Sequence, residues 1–229
     1  MTGLVYNDRY HTYHLDGERL PSVTQILGVI RKPGLEKWRG DLGNAEADRI
    51  GREAADFGTR VHSACELIAK GQYDTLGTFD FDEDLLPFVG EYVGWFNANV
   101  REVLACETRL ASVTHRYAGT VDLVAVLMTG ETAVIDLKTS SMVDSGFGLQ
   151  LEAYRRALME QDGIEPTRRL VVQMPRKKPG HLEVHEFEPE TALDDWRAFL
   201  SASILWHRLF KAEAFAPRKP FMRPAAARA

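Results

Sequence analysis

The stretch from Tyr117 to Ser140, YAGTVDLVAVLMTGETAVIDLKTS, constrains the fold more than any other part of the chain. Val121, Leu123, Val124, Val126 and Leu127 form a β-prone run. Thr129-Gly130-Glu131 interrupts it, and Ala133, Val134, Ile135 and Leu137 form a second run. The pattern predicts two antiparallel strands around a tight turn. Three charged residues, Asp122, Asp136 and Lys138, stand inside these apolar runs. Because side chains alternate along a strand, Asp136 and Lys138 leave one face while Ile135 and Leu137 leave the other. Folding the hairpin about Thr129-Gly130 sets Asp122 almost opposite Asp136, and cross-strand Cβ atoms lie about 4.5–5.5 Å apart. Two carboxylates that close repel each other, and burying either without a partner is costly. A divalent cation between them removes both penalties, and hard oxygen ligands suit Mg²⁺ or Mn²⁺. An ordinary hairpin whose polar face carries an Asp–Lys ion pair is the plainer alternative. The register match with Asp122 favours the metal.

Flanking segments add chemistry-bearing residues at helical spacing. From Gly58 to Lys70 a helix is expected with Val61, Ala64, Cys65 and Ile68 on its apolar side, and with His62 and Glu66 on a neighbouring face. After the hairpin, Ser145 to Gln161 reads as a helix in which Phe147, Gln150, Leu151, Tyr154 and Leu158 share a face. Gln150 and Tyr154 therefore point together toward the end of the Asp136–Lys138 strand. No second histidine completes a His-x-x-x-His pair with His62, which excludes a zinc-protease reading.

Gly58 with His62 on an upstream helix, then Gly119 with Asp122, Asp136 with Lys138 and Gln150 with Tyr154, in that chain order, resemble the PD-(D/E)XK nuclease superfamily. The likeness is to its RecB-like exonuclease branch. The Tyr-rich opening that runs into SVTQIL is similar to small phage-type and mitochondrial genome-maintenance exonucleases of that superfamily. The resemblance runs from about Ser22 to Tyr154. It implies a metal held by Asp122, Asp136, the backbone carbonyl of Leu137 and His62, with Glu107 as a further candidate ligand on the strand upstream. It also implies that Lys138 orients or deprotonates the attacking water, and that Gln150 and Tyr154 sit near the scissile DNA. Some relatives of this branch carry a four-cysteine iron–sulfur cluster. Cys65 and Cys106 are too few to build one, and too few for a disulfide framework.

Composition sets looser bounds. With 229 residues the chain suits one nuclease domain over 1–215, comprising an N-terminal hairpin and helical extension (1–57) and a core (58–215), followed by a basic flexible tail (216–229). No apolar run approaches the ~20 residues that span a bilayer and no signal-peptide pattern opens the chain, so a cytoplasmic protein without a membrane partner is expected. The formal net charge of -5 neither supports nor excludes nucleic-acid binding, since a metal site adds acidic residues of its own.

In chain order, residues 4–20 alternate aromatic and polar residues around the turn signal Asp16-Gly17, and these aromatics either pack the hairpin or stack on bases. A short helix opens at Ser22 or Thr24. From Leu35 to Lys70 the chain is helical and charged, interrupted at Gly40, Gly43, Gly51 and Gly58. An acidic loop spans 71–84, a helix with a core-facing stripe through Phe88, Tyr92, Trp95, Phe96 and Val100 follows, and Val103–Val113 is a strand. Strands at Arg168–Met174 and Leu182–Phe187 flank the basic loop Arg176-Lys177-Lys178, which with Arg155, Arg156, Arg168 and Arg169 forms a candidate phosphate track. Glu190 to Ala214 closes the fold as a helix.

The reading is an α/β, restriction-endonuclease-like mixed sheet with a central antiparallel hairpin flanked by helices. The expected activity is Mg²⁺- or Mn²⁺-dependent exonucleolytic hydrolysis of DNA, single-stranded or with free ends, in replication, recombination or repair of a phage or bacterium. The alternatives are a structure-specific endonuclease of the same fold and a catalytically silent DNA-binding protein.

Overall fold

The computed structural model describes residues 3–72 and 83–210. Most of the acidic stretch 71–84, the end of the closing helix and the tail 216–229 lie outside the described residues.

Turn chemistry sets the N-terminal strands. β1 (Leu4–Asn7), β2 (Thr12–Leu15) and β3 (Glu18–Leu20) form an antiparallel sheet in that order. Asp16 (φ 50) and Gly17 (φ 86) close its second hairpin in the left-handed conformation such a turn requires. At α1 (Val23–Leu27) the Ser22 hydroxyl accepts the Gln25 N–H while the Gln25 side chain accepts the Ser22 N–H, which satisfies two otherwise free donors.

The helical segment differs from the sequence expectation. Of its glycines, Gly43 (φ 81) separates α2 (Pro33–Leu42) from α3 (Asn44–Ala69), while Gly51 and Gly58 lie inside the 26-residue α3. A helical glycine costs about 1 kcal/mol. Burial of Phe57, Val61, Ala64, Cys65 and Ile68, largely against α4 (Leu86–Asn99), outweighs it.

The main sheet runs β4 (Val100–Ser112), β5 (Tyr117–Leu127), β6 (Thr132–Lys138), β7 (Arg168–Gln173) and β8 (Glu183–Glu186) in spatial order. All neighbours are antiparallel except β6 and β7, which are parallel and joined through α5 (Gly146–Asp162). Side-chain alternation supplies both faces. Val121, Val124, Val134 and Val171 pack with Ile26 of α1, Leu151 and Leu158 of α5, and Phe199 of α6 (Ala192–Leu209). Leu123, Ala125, Ile135 and Val172 pack with Val61 and Cys65 of α3 and Phe88 and Tyr92 of α4. Strands covered on both sides read as near-continuous apolar runs, as β5 and β6 do. The N-terminal sheet rests on the β4–β5 hairpin through Tyr13, Leu15, Leu20, Ala111 and Ala118.

Four arginines grouped by the sequence with the phosphate track are committed elsewhere. Arg155 and Arg156 bind the fully buried Glu152, and Arg168 binds Glu186 and Glu131. The buried Arg169 bonds Asp195, Thr191 and the Glu188 carbonyl, tying β7 to α6. Such a charge is retained in the interior only because every neighbour is a partner. Among the described residues, no helix is long and apolar enough to cross a membrane.

Candidate active site

The β5–β6 ladder pairs Val126 with Thr132 through Leu123 with Ile135, and one step further in that register stands Asp122 against Asp136. The ladder stops there. The Leu137 N–H, which an unbroken ladder would give to Val121, goes instead to Asp122 Oδ2 at 2.7 Å. On the other side, the pairs Cys106–Leu123 and Thr108–Val121 bracket Glu107 against Asp122. Glu107 takes φ 48, a left-handed backbone that is uncommon away from glycine. Glu107, Asp122 and Asp136 thus form one acidic row across three strands.

Asp136 is 2% exposed. Its Oδ1 accepts from Gln150 Nε2 at 2.8 Å, and the same nitrogen lies 3.3 Å from the Tyr154 hydroxyl. Its Oδ2 sits 2.5 Å from Lys138 Nζ in a buried ion pair. Burial pushes the Asp136 carboxyl up to about 6, with Lys138 pulling it down and Asp122 pushing it further up. Burial pulls the Lys138 ammonium down, but the Asp136 and Asp122 charges outweigh it and hold lysine above its ordinary value. Lys138 is therefore a cation at neutral pH. The Phe147 ring lies 5.3 Å from its Nζ.

From α3, His62 brings Nδ1 to 3.7 Å from Asp122 Oδ2. Ligand atoms of His62, Glu107 and Asp122 all lie within 4.8 Å of one another. Burial raises the Glu107 carboxyl to about 7, with Asp122 and Glu66 adding to it. Glu66 itself is paired with Lys70. The donor set is one imidazole with hard carboxylate oxygens, and the carboxyls repel each other. A divalent cation fits that arrangement.

α3 overhangs these groups. Ala54, Ala55 and His62 of α3, with Thr139 beyond β6, line two adjoining cavities of about 400 and 460 Å³. The first carries Glu66 and Glu107; the second carries Lys138, Ser140, Ser141, Arg176 and Lys177. Lys178 of the basic loop is exposed and does not line either cavity. Gly58 faces the Thr139 hydroxyl, where a Cβ would stand 3.2 Å from it. The cleft hydroxyls of Thr139 and Ser140 escaped sequence reasoning, although they follow Lys138 directly. Of the aromatics considered for base stacking, Tyr13 is buried, with its hydroxyl 2.8 Å from that of Thr120.

A mixed five-stranded sheet in this order, flanked by helices and opening a carboxylate row at the end of its central hairpin, is the restriction-endonuclease-like fold. The chain belongs to the PD-(D/E)XK nuclease superfamily, whose sequence profile matches residues 37–221. Members of that superfamily use divalent metals and act on DNA. No curated protein matches the chain. Two solved structures are similar at low identity. The protein SSO0001 is 15% identical, with 79% of this chain and 74% of that chain covered and a TM-score of 0.36. A candidate exonuclease of Eubacterium rectale is 10% identical, with 73% and 76% covered and a TM-score of 0.46. Neither superposition is close enough to bear on function.

Proposed function

We propose that this nuclease is a Mg²⁺- or Mn²⁺-dependent deoxyribonuclease that degrades DNA from a free end. The observation that carries the reading is the acidic row Glu107–Asp122–Asp136 beside a charged Lys138, at the floor of a cleft whose far wall holds Arg176 and Lys177.

Asp122, Asp136, His62 and the backbone carbonyl of Leu137 are the proposed metal ligands, with Glu107 as a further one. A divalent cation there supplies Lewis acidity, which activates water and offsets charge growing on the phosphate. Gln150 fixes one oxygen of Asp136 and leaves the other turned to Lys138. Lys138, paired with Asp136 beside the proposed metal ligands, is placed to orient the attacking water and to stabilise charge on the scissile phosphate. Tyr154 backs Gln150 from the same helix face. Arg176 and Lys177, with Lys178 outside the cleft, neutralise flanking phosphates. The Arg176 guanidinium is steadied over the Phe57 ring at 5.4 Å. The overhanging α3 supports attack from an end, because a strand terminus threads beneath a helix more readily than a closed circle does.

The test uses end-labelled linear and covalently closed circular DNA, single- and double-stranded, with Mg²⁺, Mn²⁺ or EDTA. Linear DNA is expected to shorten from its ends with metal, circles to persist, and Asp136→Ala to be inactive. Cutting of circles as fast as linear DNA makes the protein an endonuclease. Binding without metal-dependent cleavage makes it a silent DNA-binding protein.

A further inference from the structure

The wall beside the acidic row continues into the N-terminal sheet. Thr120 stands two residues before Asp122 on β5, and its cross-strand partner on β4 is Arg109, two residues beyond Glu107. The Thr120 hydroxyl lies 2.8 Å from that of Tyr13, and the Tyr13 ring packs against Tyr6 with centroids 4.8 Å apart. Arg109 lies over the Tyr6 ring, its Cζ 4.6 Å from the centroid, and Tyr6 Oη meets His11 Nδ1 at 2.7 Å. A line of contacts therefore leads from Thr120 through Tyr13 to a guanidinium–phenol stack at the surface. Thr120 and Asp122 are two residues, roughly 7 Å, apart along the strand.

We propose that the Tyr6–Arg109 stack is a subsite for one unpaired base of the DNA strand held in the active site. The inference rests on the nuclease reading and adds the strand state of its substrate. A half-exposed guanidinium over an aromatic ring offers an outer face, and every base has a π-face to place on it, so the subsite tolerates any sequence. Phosphate is the poorer occupant. The Asp8 carboxylate sits 3.4 Å from Arg109 and offsets its charge while leaving its plane exposed. In a duplex both faces of a base are already covered by its neighbours, so an unpaired one is required. The stack stands on the strand pair that carries Glu107 and Asp122, which sets it on the path of a strand held at the acidic row.

The full-length chain in EDTA at low salt, where metal-dependent cleavage is off, is titrated with short single-stranded oligonucleotides carrying 2-aminopurine at successive positions. Quenching is expected at one or two adjacent positions. Tyr6→Leu should weaken binding of the intact oligonucleotide by about 5- to 150-fold, and Tyr6→Trp should restore it. An oligonucleotide abasic at the quenched position should bind wild type and Tyr6→Leu alike. Arg109→Gln, at an exposed side chain, gives the same pattern without touching the hairpin core. The proposal is overturned by absence of quenching in wild type, by equal losses on intact and abasic DNA, or by undiminished affinity in Arg109→Gln. Cleavage by the wild-type chain in Mg²⁺ is read separately. Its absence would remove the nuclease reading while the stacking measurement still stands.

Discussion

Asp122 Oδ2 accepts the backbone N–H of Leu137 at 2.7 Å, so one side chain both ends the β5–β6 ladder and belongs to the acidic row. The two roles separate by substitution. Asp122→Asn and Asp122→Ala both remove the charge and are expected to abolish cleavage. Asparagine retains an acceptor for Leu137, whereas alanine strands a donor inside the sheet, a loss of about 1–3 kcal/mol. Urea melts without metal should rank alanine below asparagine by that margin. Equal stability would mean that water reaches Leu137 and that the carboxylate does not hold the strand ends.

A pH dependence follows from the same crowding. In the fold the Glu107 carboxyl stands at about 7 against 4.5 ordinarily, and Asp136 at about 6 against 3.8. Both shifts come first from burial. The folded chain then holds protons that the unfolded chain has released, so the stability these groups contribute is full below about pH 4 and is lost as pH rises through about 6 to 7. In EDTA, the melting temperature of wild type relative to Glu107→Gln should fall steadily over that range. Saturating Mg²⁺ or Mn²⁺ should remove the fall, because a cation binds the deprotonated carboxylates. A difference that stays constant or grows in wild type's favour on raising pH would contradict the buried acidic row.

The parts of this site that follow period and turn rules were legible in the sequence. Alternation across Thr129-Gly130 set Asp122 against Asp136, and helical spacing put Gln150 and Tyr154 on one buried face. Features that depend on tertiary contact were not. Nothing in its residue type announces that Glu107 takes φ 48, which is a property of the strands that grip it. Gly51 and Gly58 look like breaks, but α3 runs on through both, with Phe57, Val61, Cys65 and Ile68 buried around and beyond the second. Arg155 and Arg169 look like phosphate ligands until the fold brings Glu152 and Asp195 beneath them. Charge counts along a sequence cannot distinguish a solvated arginine from one consumed by a buried carboxylate.

Gly119 carries a steric prediction. A Cβ there would stand 2.6 Å from Cε1 of the buried Tyr154 ring, and that ring cannot swing away inside the core. Gly119→Ala should cost about 1–3 kcal/mol in denaturant melts, the usual range for overpacking. The displaced Tyr154 would carry Gln150 away from Asp136, so cleavage should fall further than stability explains. Pairing Gly119→Ala with Tyr154→Leu tests the cause, because removing the ring should restore much of the lost stability. A double variant no more stable than Gly119→Ala would place the strain elsewhere.

The last prediction concerns the basic wall. Arg176 and Lys177 line the cavity that also holds Lys138, whereas Arg155 and Arg168 are bound to carboxylates. If the backbone of DNA runs along this wall, each of the two cationic groups displaces counterions from it. For single strands the logarithm of affinity falls against the logarithm of salt concentration with a slope of about -0.7 per neutralised phosphate. Changing Arg176 and Lys177 to alanine should therefore flatten the slope by about 1.4, with a similar loss for every sequence tested. Arg155→Ala is the contrasting variant. Its charge is already spent on Glu152, so it should lower stability by removing one of that buried carboxylate's cationic partners and leave the salt slope unchanged. A slope altered by Arg155→Ala but not by the Arg176/Lys177 pair would move the strand to the opposite side of the sheet.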